Sequence, residues 1–353
     1  MISIVIPVHN DPQALSKCVK AVLRSTYLAY ECIVVDDGSG DETLAVAQRF
    51  PIKVLKFAQS YGPACARNRG AQAAAGEILL FIDADVQIYS DTLAKIAETF
   101  AHHPEIAAVI GSYDDDPDDA SFISQYKNLF HHYVHQRARE DTNTFWAACG
   151  AIRRELFMKV GGFNELYGKP AIEDIELGYR LTMNNHKILL HKQIQVKHLK
   201  RWTFWRLLKT DVFHRGVPWT ELMLRERIFP NDLNLRSSQC LCVILVYLFL
   251  ISSLLIAVFF RKEASLTYFL LLPLGLGSIL MLNTQFYKFF IEKRNLVFAL
   301  KVFPLHLLYY FYCGLSVFFG ILSYIYKKAN KTLQRKWYPN YLNSQDHIHA
   351  HHF

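Results

Sequence analysis

Along the first third of the chain, short unbroken apolar runs alternate with segments whose apolar positions recur at helical spacing. Ile2–Val8, Glu31–Asp36, Ile52–Phe57 and Ile78–Asp83 read as strands. Gln13–Arg24, Glu42–Arg49 and the Ala-rich Pro63–Ala75 read as helices. Strands that are apolar on both faces must be covered on both sides. With a βαβα rhythm, this predicts an α/β, Rossmann-like, mostly parallel sheet with helices on both faces. Ligands in such sheets sit beyond the carboxyl ends of the strands. Polar residues cluster at those ends here, at His9-Asn10, Asp36-Asp37-Gly38-Ser39 and Asp83-Ala84-Asp85.

The middle of the chain is less regular. The acidic stretch Asp114 to Asp119, broken by Pro117, predicts a solvated loop, with Asp114 or Asp115 able to reach an acceptor. Ser121–Arg139 has a helical pattern, and the apolar Phe145–Ile152 precedes a helix over Arg154–Val160 and a Gly161-Gly162 turn. Glu173–Met183 predicts a helix and Ile188–Val196 a strand.

After Lys200 the pattern changes. Thr203–Phe213 is amphipathic and suits a helix lying on a membrane. Cys240–Phe260 is then a run of 21 residues without a charge, long enough to cross a bilayer. Ser265–Leu282 is a second run, and Leu296–Tyr326 a third. Lys301, Pro304 and His306 interrupt the third run, so its spanning part is predicted as Leu305–Tyr326. The organisation expected is a catalytic region over 1–200, an interfacial segment over 201–236 and two to four transmembrane helices within 237–326, three by the runs just named. A basic, His-ended tail follows over 327–353.

Charge sharpens this division. Residues 1–200 carry 21 Lys/Arg against 24 Asp/Glu, and residues 201–353 carry 18 against 7, which sums to the net +8. A basic excess beside apolar runs points to membrane lipids and not to nucleic acid. The seven cysteines show no paired spacing and read as reduced thiols. No basic segment precedes the first strand, so no secretory leader is expected. The expected location is the plasma or inner membrane, with the catalytic region cytoplasmic. Three spans would then leave Lys327, Lys328, Lys331, Arg335 and Lys336 on the far side, against the positive-inside tendency.

Candidate chemistry follows from the strand ends. Asp83 and Asp85, spaced i, i+2 after a buried strand, point to one face if the strand geometry continues. Their oxygens suit Mg²⁺ or Mn²⁺, which would neutralise a diphosphate leaving group. Asp36 ends its own strand, where an acid commonly holds a ribose or base. Asp37 suits either that role or a turn cap shared with Ser39. In Glu173-Asp174, two adjacent carboxylates raise each other's proton affinity, as a general base requires; helix N-terminal acids favoured by the dipole are the alternative. His131, His132 and His135 have a spacing that would hold a metal on a helix, but no further ligand group is evident.

Six blocks in order resemble family 2 inverting glycosyltransferases. They are Val5-Ile6-Pro7-Val8-His9-Asn10, Val34 to Ser39, Gly62 to Gly70, Phe81 to Asp85, Val160 to Glu165 and Glu173 to Leu177. The resemblance spans residues 2–202 and implies a GT-A fold and a nucleotide-sugar donor with a uracil or similar base. It implies donor contacts at Pro7, His9, Asn10, Asp36, Asp37, Arg67 and Asp83, a metal at Asp85 with Asp83, and Asp174 as base beside Glu173. His9 stands where the family usually has an aromatic residue. His198-Leu199-Lys200-Arg201-Trp202 resembles the Q-x-x-R-W signature of processive synthases, with His in place of Gln. This groups His198, Arg201 and Trp202, with Trp146, around the acceptor or diphosphate; interfacial Arg and Trp at a membrane surface are the alternative. The implied activity is membrane-anchored, metal-assisted inverting sugar transfer to a lipid-linked or glycan acceptor, including a polyprenyl phosphate. A sugar-phosphate nucleotidyltransferase and a non-catalytic membrane scaffold are the competing classes.

Overall fold

A computed structural model describes residues 1–259 and 274–330. Nine strands form one sheet: β1 (Ile2–Val8), β2 (Tyr30–Asp36), β3 (Lys53–Lys56), β4 (Ile78–Ile82), β5 (Val86–Ile88), β6 (Ile106–Tyr113), β7 (Asp141–Thr142), β8 (Cys149–Arg153) and β9 (Lys187–His198). The order is β3-β2-β1-β4-β8-β6-β9-β5, with β7 paired to β9. The first four are mutually parallel, as the βαβ rhythm predicts. Beyond β4 the sheet becomes mixed. β8 runs antiparallel to both β4 and β6, and β9 runs parallel to β6. Two reversals restore direction, so β6 and β9 point the same way as β1, β2 and β4. Their carboxyl ends and the amino end of β8 therefore share one edge.

Local signals set the elements of the parallel half. Ile2, Ile4, Val5 and Ile6 are fully buried, as a central strand requires. The helix Pro12–Val22 starts where the Asp11 carboxylate accepts the Ala14 N–H at 3.1 Å, with Pro12 in the first turn. The helix Pro63–Gln72 starts after Gly62, whose φ of +96° and 2.6 Å Cβ clearance from the Gly168 carbonyl exclude a side chain. β6 was not evident from the pattern, because Gly111 and Ser112 interrupt its aliphatic run, although every residue in it is buried.

The acidic loop differs from its expectation as a solvated stretch. Asp114 is buried and accepts the Tyr89 hydroxyl at 2.7 Å. Asp115 pairs with Lys293 at 2.6 Å, Asp116 with Lys197 at 2.5 Å and Asp118 with Lys17 at 2.9 Å. Three lysines and one tyrosine hydroxyl, from four distant segments, cannot be anticipated from the loop itself except as a local excess of acid needing partners.

The helical part begins with Phe204–Lys209, a π-helix over Thr210–Gly216 and the helix Val217–Glu226. Leu207 and Val212 face inward, while Trp205 and Phe213 are 76% and 64% exposed. Ser237–Phe259, Thr284–Lys293 and Leu296–Ala329 follow. Two of the described helices are long and apolar enough to cross a membrane: Ser237–Ile256, with mean hydropathy 2.6, and Leu296–Ala329, with mean hydropathy 1.7. Residues 265–273, half of the predicted span Ser265–Leu282, and the tail from residue 331 lie outside the described residues. The break expected around Pro304 does not occur, and Leu296–Ala329 is one helix. His306 is buried there, and its Nδ1 shares a 3.0 Å hydrogen bond with the Tyr287 hydroxyl, so one of the two polar atoms of a residue that read as an interruption is met by the neighbouring helix.

An aromatic seam joins the two parts. Phe130 meets Phe286 with ring centroids 5.4 Å apart, and Tyr126 stacks on Phe290 at 6.1 Å. Tyr126 and Phe130 lie on the helix Phe122–Arg137, which also borders the sheet.

Candidate active site

At the end of β2, the Asp36 carboxylate is fully buried. One oxygen accepts the Ser39 N–H at 3.2 Å, and the other has no partner. A buried, unpaired carboxylate oxygen is costly unless a ligand supplies a donor. Asp37 differs. It accepts the Ser60 hydroxyl at 2.7 Å, the Tyr61 N–H at 2.8 Å and the Gly62 N–H at 2.9 Å, which makes it the clasp of the loop before Pro63–Gln72. Its turn role, not its ligand role, is the one the contacts favour. His9 and Asn10 are exposed beside it. His9 Nδ1 lies 2.8 Å from the Asp37 carbonyl oxygen, and Asn10, at φ +53°, accepts the Gly40 N–H at 2.8 Å. Pro7, half-buried, pairs with Val35 across β1 and β2.

A second cluster stands at the end of β4. Only β1 separates β2 from β4, so the two clusters are about 10 Å apart across the sheet. Arg67 is buried with one terminal nitrogen 2.7 Å from Asp83 Oδ1 and the other 2.9 Å from Glu173 Oε1. Burial disfavours its charge, but the two carboxylates outweigh this and raise its pKa. Glu173 also accepts the Ala171 N–H at 2.9 Å, so both of its oxygens are engaged. Asp174 accepts the Ala147 N–H at 3.2 Å, just before β8. Burial, reinforced by the neighbouring Glu173 charge, pushes its pKa up to about 6, against the pull of Arg67.

Asp85 faces residues from far along the chain. Lys200 Nζ lies 3.4 Å from its Oδ2, and His198 Nε2 lies 3.9 Å away. Burial raises its proton affinity, but the Lys200 ammonium beside it more than reverses that and holds it ionised. His198 stacks on Tyr113 at 4.1 Å, and burial pushes its pKa down to about 4, leaving a neutral imidazole. Asp83, Asp85, Tyr113, His198, Lys200 and Trp202 border a cavity of about 40 Å³, closed by Lys127, His131 and Arg215. Trp202 is buried, with Lys200 5.1 Å from its ring centroid. Trp146 lies behind, edge-on to Tyr113 at 4.7 Å. Arg201 is not brought in; its side chain is 78% exposed, 3.8 Å from Asp119.

The three histidines do not form a metal centre. His132 and His135 hydrogen-bond the carbonyls of Tyr113 and Gly111 on β6, at 2.8 and 3.2 Å. No cluster of three or more metal-ligating side chains occurs among the described residues. Lys127, Arg215, Lys200 and Tyr113 were missed by sequence reasoning, and His131 was weighed only as a metal ligand. The available signal was a lysine on an otherwise aromatic helix face, at Lys127.

The sequence model of glycosyl transferase family 2 matches residues 3–161. The match covers the sheet from β1 to β8 and both strand-end carboxylate clusters. The chain is 34% identical over 107 residues to glycosyltransferase AglE of Haloferax volcanii, covering 28% of this chain and 35% of that one. It is 31% identical over 128 residues to glycosyltransferase GlyG of Streptococcus pneumoniae, covering 35% and 42%. It is 36% identical over 117 residues to a PGL/p-HBAD biosynthesis glycosyltransferase of Mycobacterium bovis, covering 31% and 46%. The chain thus spans less than half the length of these curated relatives. The fold also resembles the crystal structure of S. aureus TarS residues 1–349 in complex with UDP-GlcNAc. The TM-score is 0.50 with 19% identity, over 63% of this chain and 64% of that one.

Proposed function

We propose that this chain is a membrane-held inverting glycosyltransferase, moving a sugar from a UDP-type donor to a lipid-linked or glycan acceptor. The supporting observation is that three carboxylates at one sheet edge are in three different states. Asp36 keeps a buried oxygen without a partner, Asp85 is held ionised, and Asp174 has its pKa pushed up to about 6. These states match three needs of the reaction: a nucleoside donor group to accept from, a diphosphate to neutralise, and an acceptor proton to remove.

Asp36 would take a base N–H, with Pro7, His9 and Asn10 flanking it. Arg67 would fix Asp83 and Glu173, so that Asp174 alone remains to accept the proton as the acceptor attacks from the face opposite the diphosphate. The residues also fit Mg²⁺ or Mn²⁺. A carboxylate and a neutral imidazole 3.9 Å apart are compatible protein ligands, with further ligands coming from phosphate. Asp85 and His198 would hold the ion, with Asp83 beside them, and the ion would supply Lewis-acid stabilisation of the leaving group.

Residues 1–200 would form the catalytic region, 201–236 its interfacial collar and 237–326 the membrane part. The exposed apolar side chains of Leu248, Ile251 and Leu254, and of Phe318, Leu322 and Ile325, support burial in lipid. A cytoplasmic catalytic region remains the preferred orientation. The UDP-GlcNAc of the TarS complex makes UDP the first donor to test. Calorimetry of the purified full chain with UDP and Mn²⁺ should show saturable binding. No binding of UDP, and no hydrolysis from a panel of nucleotide sugars, would defeat the reading.

A further inference from the structure

A larger cavity of about 310 Å³ lies between the catalytic region and the two membrane-length helices. That volume is at the low end of the range for small-ligand sites. Val243 and Ile244 from Ser237–Phe259, Val317 from Leu296–Ala329 and Met223 from Val217–Glu226 give it an apolar wall. Lys127, His131 and Arg215 border both this cavity and the smaller one at Asp85 and His198. The two spaces therefore meet at a basic junction.

The charges at that junction are not balanced internally. Lys127 is paired with Asp211 at 2.7 Å, and Asp211 also accepts the Tyr312 hydroxyl at 2.8 Å, so that acid is neutralised. Among the described residues no carboxylate pairs with Arg215, whose hydrogen bond is to His131 Nε2 at 3.3 Å. His131 Nδ1 and the indole nitrogen of Trp202, a residue only 5% exposed, are buried without partners. The π-helix Thr210–Gly216 carries both Asp211 and Arg215, and such irregular turns are frequent at functional sites.

We propose that this junction is the acceptor-side site for a lipid phosphate. The anionic headgroup sits against Arg215, with the Trp202 N–H and His131 close by, and the apolar chain lies along Val243, Ile244 and Val317 toward the surrounding lipid. The inference rests on the membrane-held transferase reading and narrows its acceptor class. A cation without an internal partner at the end of an apolar cavity is complementary to an amphiphile with a charged head, and to neither a neutral lipid nor a soluble glycan.

The test uses the full chain in phosphatidylcholine nanodiscs, with retention on empty nanodiscs subtracted. Farnesyl phosphate, farnesol and inorganic phosphate are compared as probes, and UDP with Mn²⁺ is titrated separately. Farnesyl phosphate should bind at least about tenfold more tightly than either farnesol or phosphate, because each lacks one half of the contact. Arg215→Gln should weaken farnesyl phosphate by about tenfold and leave UDP unchanged. Val243→Trp should fill the cavity and weaken farnesyl phosphate, again with UDP binding retained as evidence of folding; Val317→Trp replaces it if that variant does not fold.

Farnesol or phosphate matching farnesyl phosphate overturns the proposal. So does Arg215→Gln weakening UDP while sparing farnesyl phosphate, which assigns the arginine to the donor. UDP binding without farnesyl phosphate binding sinks the lipid site alone, whereas absence of UDP binding sinks the transferase reading.

Discussion

The two halves of the sheet are built by different rules. In β3-β2-β1-β4 every pairing is parallel, β1, β2 and β3 each lead into a helix, and the groups at the strand ends are close in sequence to the strands that carry them. Asp36 follows β2 directly, and Asp37 clasps a loop only 25 residues away. In the half from β8 to β5 the pairings are mixed, and the site is assembled from afar. His198, at the end of β9, meets Asp85 across 113 residues because two reversals bring β9 back to the direction of β4. Under the proposed function, local motifs would serve the donor side and topology the reacting side. Arg67 links the two, through Asp83 on one half and Glu173 on the other.

That division can be broken experimentally. The largest effect should come from Asp174→Asn. Removing the general base should lower the transfer rate by about 10²- to 10⁴-fold while UDP affinity stays within about twofold. A parallel loss of UDP binding would place Asp174 on the donor side and erase the distinction.

Arg67→Met severs the link. Two buried carboxylates lose their partner, so unfolding stability should fall by about 3–5 kcal/mol, measured by denaturant titration. A loss below about 1 kcal/mol would mean that the halves are joined by packing alone.

Asp36→Ala should weaken UDP by about ten- to a hundredfold and leave turnover at saturating donor nearly unchanged. A large loss of turnover at saturation would contradict its assignment to binding.

The smallest effects sharpen the comparison through pH. With Asp174 near 6, the transfer rate should rise about tenfold between pH 5 and 7 while UDP affinity stays flat. Stability should run the other way. The folded-state pKa lies above the unfolded one, so the folded chain binds the proton more tightly. That stabilisation is complete below about pH 4 and is lost as pH rises through about 6. Asp174→Asn should therefore be more stable than the parent above pH 6, by about 1–2 kcal/mol after allowing for partial exposure. Melting curves at pH 4 and 7.5 check the sign, and a larger gain at pH 4 would reverse it.

Much of the catalytic region was legible because its signals are local. Apolar runs marked β1, β2 and β4, helical spacing marked the helix after Asp11, and acids at strand ends marked Asp36, Asp83 and Asp85. What was misread depended on distant partners. The acids from Asp114 to Asp119 looked solvated until Tyr89, Lys17, Lys197 and Lys293 supplied their contacts. His132 and His135 looked like ligands until β6 carbonyls occupied them. His306 looked like a break until Tyr287 met it.

The sequence by itself determined the parallel half, the strand-end carboxylates and the apolar character of the helices after residue 237, because backbone propensity and hydrophobic period act over a few residues. Tertiary structure alone decided which carboxylate does what. Proton affinity and pairing depend on charges within a few ångströms, whatever their separation along the chain. Arg67 on Asp83 and Glu173, Lys200 on Asp85, and Arg215 without a carboxylate partner among the described residues are facts of the folded arrangement, and the proposed chemistry rests on them.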